Sequence, residues 1–402
     1  FIEEAITAGA SALVVEHEMS THLPQLVVAD TRIALGAAAR GWRQRFSIPL
    51  ITVSGSNGKT TVTQMLAVIL EKAVGTDHRL ATQGNFNNEI GLPLTLLRLT
   101  NQHRLAVVEM GMNHPGEIAL LAAMAEPTVA LVNNAQREHQ EFMGTVEATA
   151  HENGASIEAL GPDGIAVFPA DDACAAIWRK LAGNRSILDF SGQGNAALTY
   201  EAIEFPQGMA LTLNTPEGRV QVKLRLSGAH NAHNAAAAAS AALAAGVPLD
   251  AIAAGLEAFR PVQGRGVLTE LETGTLVIDD AYNANPDSVR AAISALQQRP
   301  GIRILVLGDM GEVGDQGPAF HLEIGAYAKE CQIDRLFTLG NLAQFSAEAY
   351  GAPNAEHHTS IETLVTRLKP LCQTDTTLLI KGSRFMKMER IIQSLTTTNH
   401  PA

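Results

Sequence analysis

Lys59, Thr60 and Thr61 follow Gly55-Ser56-Asn57-Gly58 directly, where the apolar run Ile51-Thr52-Val53 breaks and an apolar helical stretch from Val62 to Leu70 begins. Those residue types in that order describe a phosphate cradle. Gly55 and Gly58 let successive backbone N–H groups turn toward one anion, a helix starting near Lys59 adds the positive end of its dipole, and the Lys59 ammonium reaches the outer phosphates. The Thr60 hydroxyl is then placed to hold a magnesium ion. Only Ser56 and Asn57 separate Gly55 from Gly58, where the general phosphate loop has four residues, so the pattern is the shorter and more specific G-x-N-G-K-T-T form. The competing reading is a plain cap of a surface helix. The order of strand, turn, lysine, hydroxyls and helix favours the cradle.

Other polar groups stand at the ends of apolar runs. Glu109 closes Leu105-Ala106-Val107-Val108, and functional groups of open α/β sheets gather at the carboxyl ends of strands. It reads either as a carboxylate that bridges a metal to protein or as an ordinary strand-end acid. His139 follows the strand end Leu131-Val132-Asn133-Asn134, and it is a ligand or a packing residue on the same terms. The segment from Thr82 to Gly91 holds Asn85, Asn87, Asn88 and Glu89; it reads as a loop that hydrogen-bonds a many-oxygen ligand or as a turn-rich helix cap. Farther on, Asn231 precedes an Ala-rich helix, Arg265 sits between Gly264 and Gly266, and Asp279-Asp280-Ala281-Tyr282-Asn283-Ala284-Asn285 leads into Pro286 at the first turn of a helix. Asp280 could accept from ribose hydroxyls, while Asn285 is a candidate helix cap. Lys381-Gly382-Ser383-Arg384, after Leu378-Leu379-Ile380, suits an anionic group or a loop that neutralises a helix dipole.

The elements that position these groups fall into three regions. Up to about Phe46 the pattern is a helix, two short strands and the helix Thr31 to Arg45. From Ile48 strands and helices alternate, which predicts a parallel sheet covered on both faces, and between Ile187 and Leu226 the rhythm changes to strands with a hairpin turn at Thr215 to Gly218. Ala-rich helices come next, His233 to Ala245 and Leu249 to Phe259, before a second, smaller doubly wound unit begins near Arg260.

A chain of 402 residues with 4% aromatics suits several α/β domains with closely packed helices. The net charge of −12 argues against nucleic acid as a partner and means that acidic substrates must meet local basic groups. Cys174, Cys331 and Cys372 are odd in number and lack a C-x-x-C pair, which favours a reducing cytoplasm over a disulfide framework. The apolar run Ala235 to Val247 is too short to cross a membrane, so no membrane insertion is expected. The chain starts at Phe1 inside an apparent helix, and its true beginning is expected to be missing.

Taken in order, G-S-N-G-K-T-T, G-N-F-N-N-E-I-G, V-E-M-G-M-N, H-N-A-H-N, D-D-A-Y-N-A-N-P, L-G-D-M-G-E-V-G and K-G-S-R-F-M-K-M-E closely resemble the Mur ligases of peptidoglycan synthesis, from about Ile2 to Ile392. D-A-Y-N-A-N-P and L-G-D-M-G-E point to the branch that adds D-alanyl-D-alanine to UDP-MurNAc-tripeptide. The resemblance implies a three-domain α/β architecture: a remnant of a UDP-substrate domain over 1–46, a central parallel-sheet ATPase over 47–259, and a C-terminal Rossmann-like domain over 260–402. It implies ATP and Mg2+, an acyl-phosphate intermediate, and a cytoplasmic, monomeric acid–amino-acid ligase. Carried over motif by motif, Gly55, Ser56, Asn57, Gly58, Lys59, Thr60 and Thr61 bind phosphates; Thr60 and Glu109 hold magnesium; and His139 serves a second magnesium. Asn231, Arg265, Asp280, Tyr282 and Asn283 contact the nucleotide, with Lys59, Glu109, His139 and Arg265 as the catalytic set. Asn85, Asn87, Asn88 and Glu89, with Lys381, Ser383 and Arg384, face the muramoyl peptide and the dipeptide.

One position departs from the pattern. Counted without gaps from His139, the family's carbamylated lysine falls on Asn153, and no lysine lies between Lys72 and Lys180. Glu152 is the nearest acid along the chain. Two rival readings are a folylpolyglutamate synthase-like ligase and a non-catalytic ATP-binding switch; Asn-rich N-F-N-N-E and Y-N-A-N-P disfavour the first, and intact Lys59, Thr60 and Glu109 disfavour the second.

Overall fold

The computed structural model describes residues 1–205 and 208–396. The last six residues of the expected third domain, 397–402, lie outside the described residues, as do 206 and 207. The chain opens with α1 (Ile2–Thr7), β1 (Leu13–Val15), β2 (Gln25–Val27) and α2 (Thr31–Arg43). Asp30 caps α2 by accepting from the Arg32 and Ile33 amides, and the helix ends two residues before the expected Arg45. The C-terminal end of α2 docks on the central unit: Trp42 Nε1 donates to the Leu99 carbonyl at 3.0 Å, and the buried Arg43 donates to the Ala125 carbonyl at 3.0 Å.

The central sheet shows the expected alternation. Its elements are β3 (Leu50–Ser54), α3 (Lys59–Val74), β4 (Arg79–Ala81), α4 (Gly91–Leu96), β5 (Leu105–Glu109), α5 (Glu117–Ala125) and β6 (Val129–Val132). Then come α6 (Gln140–Met143), α7 (Val146–Glu158), β7 (Ile165–Val167), α8 (Ala175–Ala182) and β8 (Ser186–Ile187). The strands are parallel in the order β4-β5-β3-β6-β7-β8. Every residue of β3, β5 and β6 is buried, as a sheet covered on both faces requires. Side chains alternate: Ile51, Val53 and Val107 enter the core under α3, while Leu50, Ala106 and Val108 enter the opposite core under α5.

Four strands form a second, mostly antiparallel sheet: β9 (Phe190–Ser191), β10 (Leu198–Phe205), β11 (Gly208–Thr215) and β12 (Gly218–Leu224), with the predicted hairpin joining the last two. Two helices, α9 (Ala229–Ala244) and α10 (Leu249–Ala258), weld this sheet to α3. Alanine is the best helix former and takes little room, so the alanine run of α9 lies buried between sheets. Gly255 lets α10 approach α3, since a Cβ there would lie 2.5 Å from Ile69 Cα. Helix α9 starts four residues earlier than the expected His233, because Gly228 supplies a positive φ of 96° and fixes its start.

The C-terminal sheet contains β13 (Val267–Glu270), β14 (Leu276–Asp280), α11 (Pro286–Gln297), β15 (Ile302–Gly308), α12 (Gly317–Glu330), β16 (Arg335–Leu339), α13 (Gln344–Tyr350), β17 (Ala355–His358), α14 (Ile361–Leu368), β18 (Thr376–Lys381) and α15 (Glu389–Thr396). Its order is β13-β14-β18-β15-β16-β17, and β13 is antiparallel to β14, an edge that the strand–helix rhythm did not reveal. Leu305, Leu307 and Leu379 pack under α11 and α12, and Ile304, Val306 and Ile380 pack under α14 and α15.

Candidate active site

The carboxyl ends of β3, β5 and β6 open into a cleft of about 1310 Å³ that the C-terminal unit closes from the other side. That volume exceeds the ~300–1,000 Å³ usual for one small ligand and leaves room for a second. Its floor is the loop between β3 and α3.

This loop divides its amides. The Gly55 N–H goes to Asn153 Oδ1 at 2.7 Å, Ser56 N–H to the Asn134 carbonyl at 3.1 Å, and Asn57 N–H to Asn134 Oδ1 at 2.8 Å. Val62 is the first residue to close a helical bond, to Gly58, so the amides of Lys59, Thr60 and Thr61 are the open first-turn donors. The expectation that Gly55 also turns its amide to the anion is corrected here, because Asn153 already takes that proton. Gly58 has φ +82°, and a Cβ there would strike Asn234 Oδ1 and Asn133 Nδ2, so only glycine fits. Lys59 curls back over the loop, donating to the Gly55 carbonyl at 2.6 Å, the Ser56 carbonyl at 3.1 Å and Glu138 Oε1 at 2.8 Å.

Beside the loop, Glu109 is 3% exposed. Thr60 Oγ1 donates to its Oε1 at 3.2 Å and Asn87 Nδ2 at 2.8 Å, while Oε2 is buried with no partner among the described residues. The Asn-rich segment thus serves both readings: Asn87 reaches Glu109, and Asn88 Oδ1 accepts from the Gly91 amide at 2.9 Å in the turn that leads into α4. Asn85 and Glu89 line the cleft.

His139 takes the left-handed conformation, φ +49°, and lines the cleft. Nε2 lies 3.5 Å from Glu138 Oε1, and Nδ1 lies 2.6 Å from Glu312 Oε2 of the C-terminal unit. Burial disfavours the charged imidazole, yet the two carboxylates outweigh it and hold the pKa at about 9. In return His139 pulls the Glu312 carboxyl below its usual range.

Asn153 and Glu152 face elsewhere. Besides its bond to Gly55, the Asn153 amide donates to the Thr149 carbonyl at 3.1 Å. Glu152 caps α5, accepting from the Gly116 and Ile118 amides at 2.8 Å each. Its carboxylate is therefore engaged at a helix terminus.

From the C-terminal unit, Arg265 Nη2 donates to Thr60 Oγ1 at 3.1 Å and its guanidinium covers the Tyr282 ring at 4.2 Å. Asp280 pairs with the buried Lys381 at 2.6 Å, and Lys381 also donates to the Asn283 carbonyl at 2.9 Å. Both line the cleft, as do Asn231, Asn283 and Arg384. Ser383 is not brought into the lining; its hydroxyl accepts from the Gly311 amide at 2.7 Å and donates to the Ala284 carbonyl at 3.1 Å, tying two strand-end loops together. Asn285 does cap α11, and its Nδ2 also donates to Asn57 Oδ1 at 2.9 Å, joining the two units.

Sequence reasoning missed Glu138, Arg137 and Glu312. Arg137 forms a fork to Asp287, 2.6 Å at the closest, and reaches Glu323 at 2.6 Å, so the loop after β6 is clamped to α11 and α12. The available signal was two opposite charges, Arg137-Glu138, inside a polar strand-end loop already singled out for His139.

The description of the Mur ligase middle domain matches residues 53–242, and that of the Mur ligase glutamate ligase domain matches 264–384. A UDP-N-acetylmuramoyl-tripeptide–D-alanyl-D-alanine ligase of Escherichia coli is 40% identical over 399 residues, 98% of this chain and 87% of the relative. The crystal structure of MurF from Acinetobacter baumannii superposes with a TM-score of 0.92 at 34% identity, covering 98% of this chain and 87% of that one. MurF ligase from Thermotoga maritima in complex with ADP gives 0.87 at 26% identity, covering 98% and 90%. With both domain descriptions matched in order and such identity along nearly its whole length, the chain belongs to the Mur ligase family, in the branch of the UDP-N-acetylmuramoyl-tripeptide–D-alanyl-D-alanine ligases.

Proposed function

We propose that this protein joins D-alanyl-D-alanine to the terminal carboxylate of UDP-MurNAc-tripeptide in the cytoplasm, as a monomer, with ATP consumed as a substrate. In this reading residues 1–46 belong to a UDP-substrate domain, 47–259 to a central ATPase and 260–402 to a Rossmann-like domain that closes on the nucleotide. The observation that carries it is one cleft in which the first-turn amides of α3, Lys59, Thr60 and Glu109 confront Arg265 and Asp280 from the other unit. An amine does not displace oxide from a carboxylate, so phosphorylation of the tripeptide to an acyl phosphate must come first, and phosphate then leaves through a tetrahedral intermediate.

The residues fit a magnesium ion. Glu109 keeps one buried oxygen without a partner beside the Thr60 hydroxyl, and no ready cluster of three His, Cys, Asp or Glu exists among the described residues. That suits Mg2+, which takes one or two carboxylates and completes its shell with phosphate oxygens and water. When bound, it neutralises charge on the transferring phosphoryl group. The Lys59 ammonium adds a second positive charge at the same place, and the α3 amides orient the phosphates. Arg265, held over the Tyr282 ring, would meet the nucleotide from the C-terminal side. Asn85, Asn87 and Glu89 line the wall offered to the peptide substrate.

The test is phosphate release from ATP with each substrate omitted in turn. Release that requires both UDP-MurNAc-tripeptide and D-alanyl-D-alanine is expected; release with a folate and glutamate, or with ATP alone, overturns the reading.

A further inference from the structure

Among the polar side chains of the cleft, Glu138 has no place in the functional reading so far, and its environment demands one. The residue is 8% exposed. One carboxylate oxygen, Oε1, meets Lys59 at 2.8 Å and lies 3.5 Å from His139 Nε2. The other, Oε2, is buried without a partner among the described residues. A desolvated carboxylate oxygen left unpaired costs free energy, so the site is complete only with a further electropositive group. Glu109 carries a second such oxygen, and both residues line the cleft together with Lys59, Thr60 and His139.

We propose that Glu138 is a direct ligand of a divalent cation bound on the His139 side of the cleft, next to the cation expected on Thr60 and Glu109. The inference rests on the ligase reading of this cleft. Hard carboxylate oxygens suit Mg2+ or Mn2+ and not a thiolate-seeking metal; His139, facing Glu138 and Glu312 through its two ring nitrogens, is a neighbour of the site and not counted as a ligand. The two residues that the sequence offered at the position of the family's lysine are used elsewhere: Glu152 caps α5, and the Asn153 amide is spent on Gly55 and Thr149. Lys59 neutralises the carboxylate through Oε1 and leaves Oε2 open. Phosphates that draw the ammonium away restore the full negative charge of Glu138, so the cation binds more tightly once nucleotide is present. Glu138 and His139, successive in the chain, both line the cleft.

The experiment titrates Mn2+ into the full chain with AMPPCP and UDP-MurNAc-tripeptide, reading free Mn2+ by electron paramagnetic resonance, for the wild type, Glu138→Gln and Glu138→Asp. Thermal melting of each variant reports folding. One class of Mn2+ sites is expected to weaken about tenfold or more in Glu138→Gln and less in Glu138→Asp, while a second class keeps its affinity. Removing AMPPCP from the wild type is expected to weaken the Glu138-dependent class, since Lys59 then stays on Oε1. Titrations of Glu138→Gln and Glu138→Asp that overlay the wild type would reduce Glu138 to a resting partner for Lys59 and overturn the proposal, as would a wild type that binds AMPPCP with a single cation. A wild type that binds no AMPPCP at any Mn2+ concentration overturns the ligase reading itself, a distinguishable failure. If Glu138→Gln does not fold, Glu138→Asp decides alone: a weakened class supports the assignment and an unchanged one ends it.

Discussion

The side-chain oxygen of Asn153, in the middle of α7, accepts the Gly55 amide proton at 2.7 Å and so anchors the first residue of the glycine-rich loop before α3 to a neighbouring helix. Asn153 is fully buried, and its own amide is held by Thr149. The position thus shapes the loop from behind. Asn153→Ala leaves the Gly55 N–H without an acceptor and is expected to cost about 1–3 kcal/mol in denaturant unfolding, with weaker nucleotide binding. Unchanged unfolding would show that the loop holds its shape without this bond. An amide also offers no amine for carbamylation, so turnover of the wild type is expected to ignore added bicarbonate.

Lys59→Ala is expected to lower phosphate release by roughly 10²–10³ or more, the range lost when a group that stabilises transition-state charge is removed. Circular dichroism should remain that of the wild type, since Lys59 sits at a loop and helix start and not within a core cluster. A folded variant with near-normal turnover would remove the loop from the chemistry.

Arg137 holds the two large units together through charge-assisted bonds to Asp287 and Glu323, with its guanidinium also 5.3 Å from the Phe320 ring. A double-mutant cycle of Arg137→Ala and Asp287→Ala is expected to give a coupling of about 1–3 kcal/mol, and small-angle scattering of Arg137→Ala a larger radius of gyration. Zero coupling with an unchanged radius would mean that other contacts hold the closed arrangement.

His321 is fully buried in α12; its Nε2 accepts from the Met310 amide at 3.1 Å, which leaves Nδ1–H to donate to the Gly317 carbonyl at 2.7 Å. Burial holds its pKa below the usual histidine value. The folded state therefore resists protonation. Above about pH 6.5 both states are neutral and the contribution is complete; as the pH falls below that value the unfolded chain takes up the proton first, so stability declines down to the folded pKa. In that window the unfolding free energy of the wild type is expected to fall more steeply than that of His321→Gln, by at most ~1.4 kcal/mol per pH unit. Equal slopes would mean that His321 is protonated equally in both states.

Much of the fold was written in local pattern. The mostly apolar runs that became β3, β5 and β6, the glycines of the loop before α3, and Asn285-Pro286 at the start of α11 are short-range signals, and each appears where it was expected. The antiparallel β13 was not legible, because its pairing partner β14 is chosen by sheet geometry and Val267–Glu270 carries no alternation of its own. Helix ends also moved: α9 begins at Ala229, where the positive φ of Gly228 outweighs the polar look of His230-Asn231.

The sequence by itself determined the residues of the cleft floor, since a glycine-rich loop is built from consecutive backbone and its signature is contiguous: Ser56 to Thr61, then Glu109 at a strand end. Only the tertiary structure decided how those residues are used. Whether an amide proton faces an anion or Asn153, whether Glu152 or Glu138 meets Lys59, and whether Ser383 lines the cleft or braces it depend on contacts between residues tens to hundreds of positions apart. A carboxylate looks the same in a sequence whether it caps α5 or stands buried beside His139; burial and partner, which set its free energy, exist only once β6, α7 and the C-terminal unit close around it.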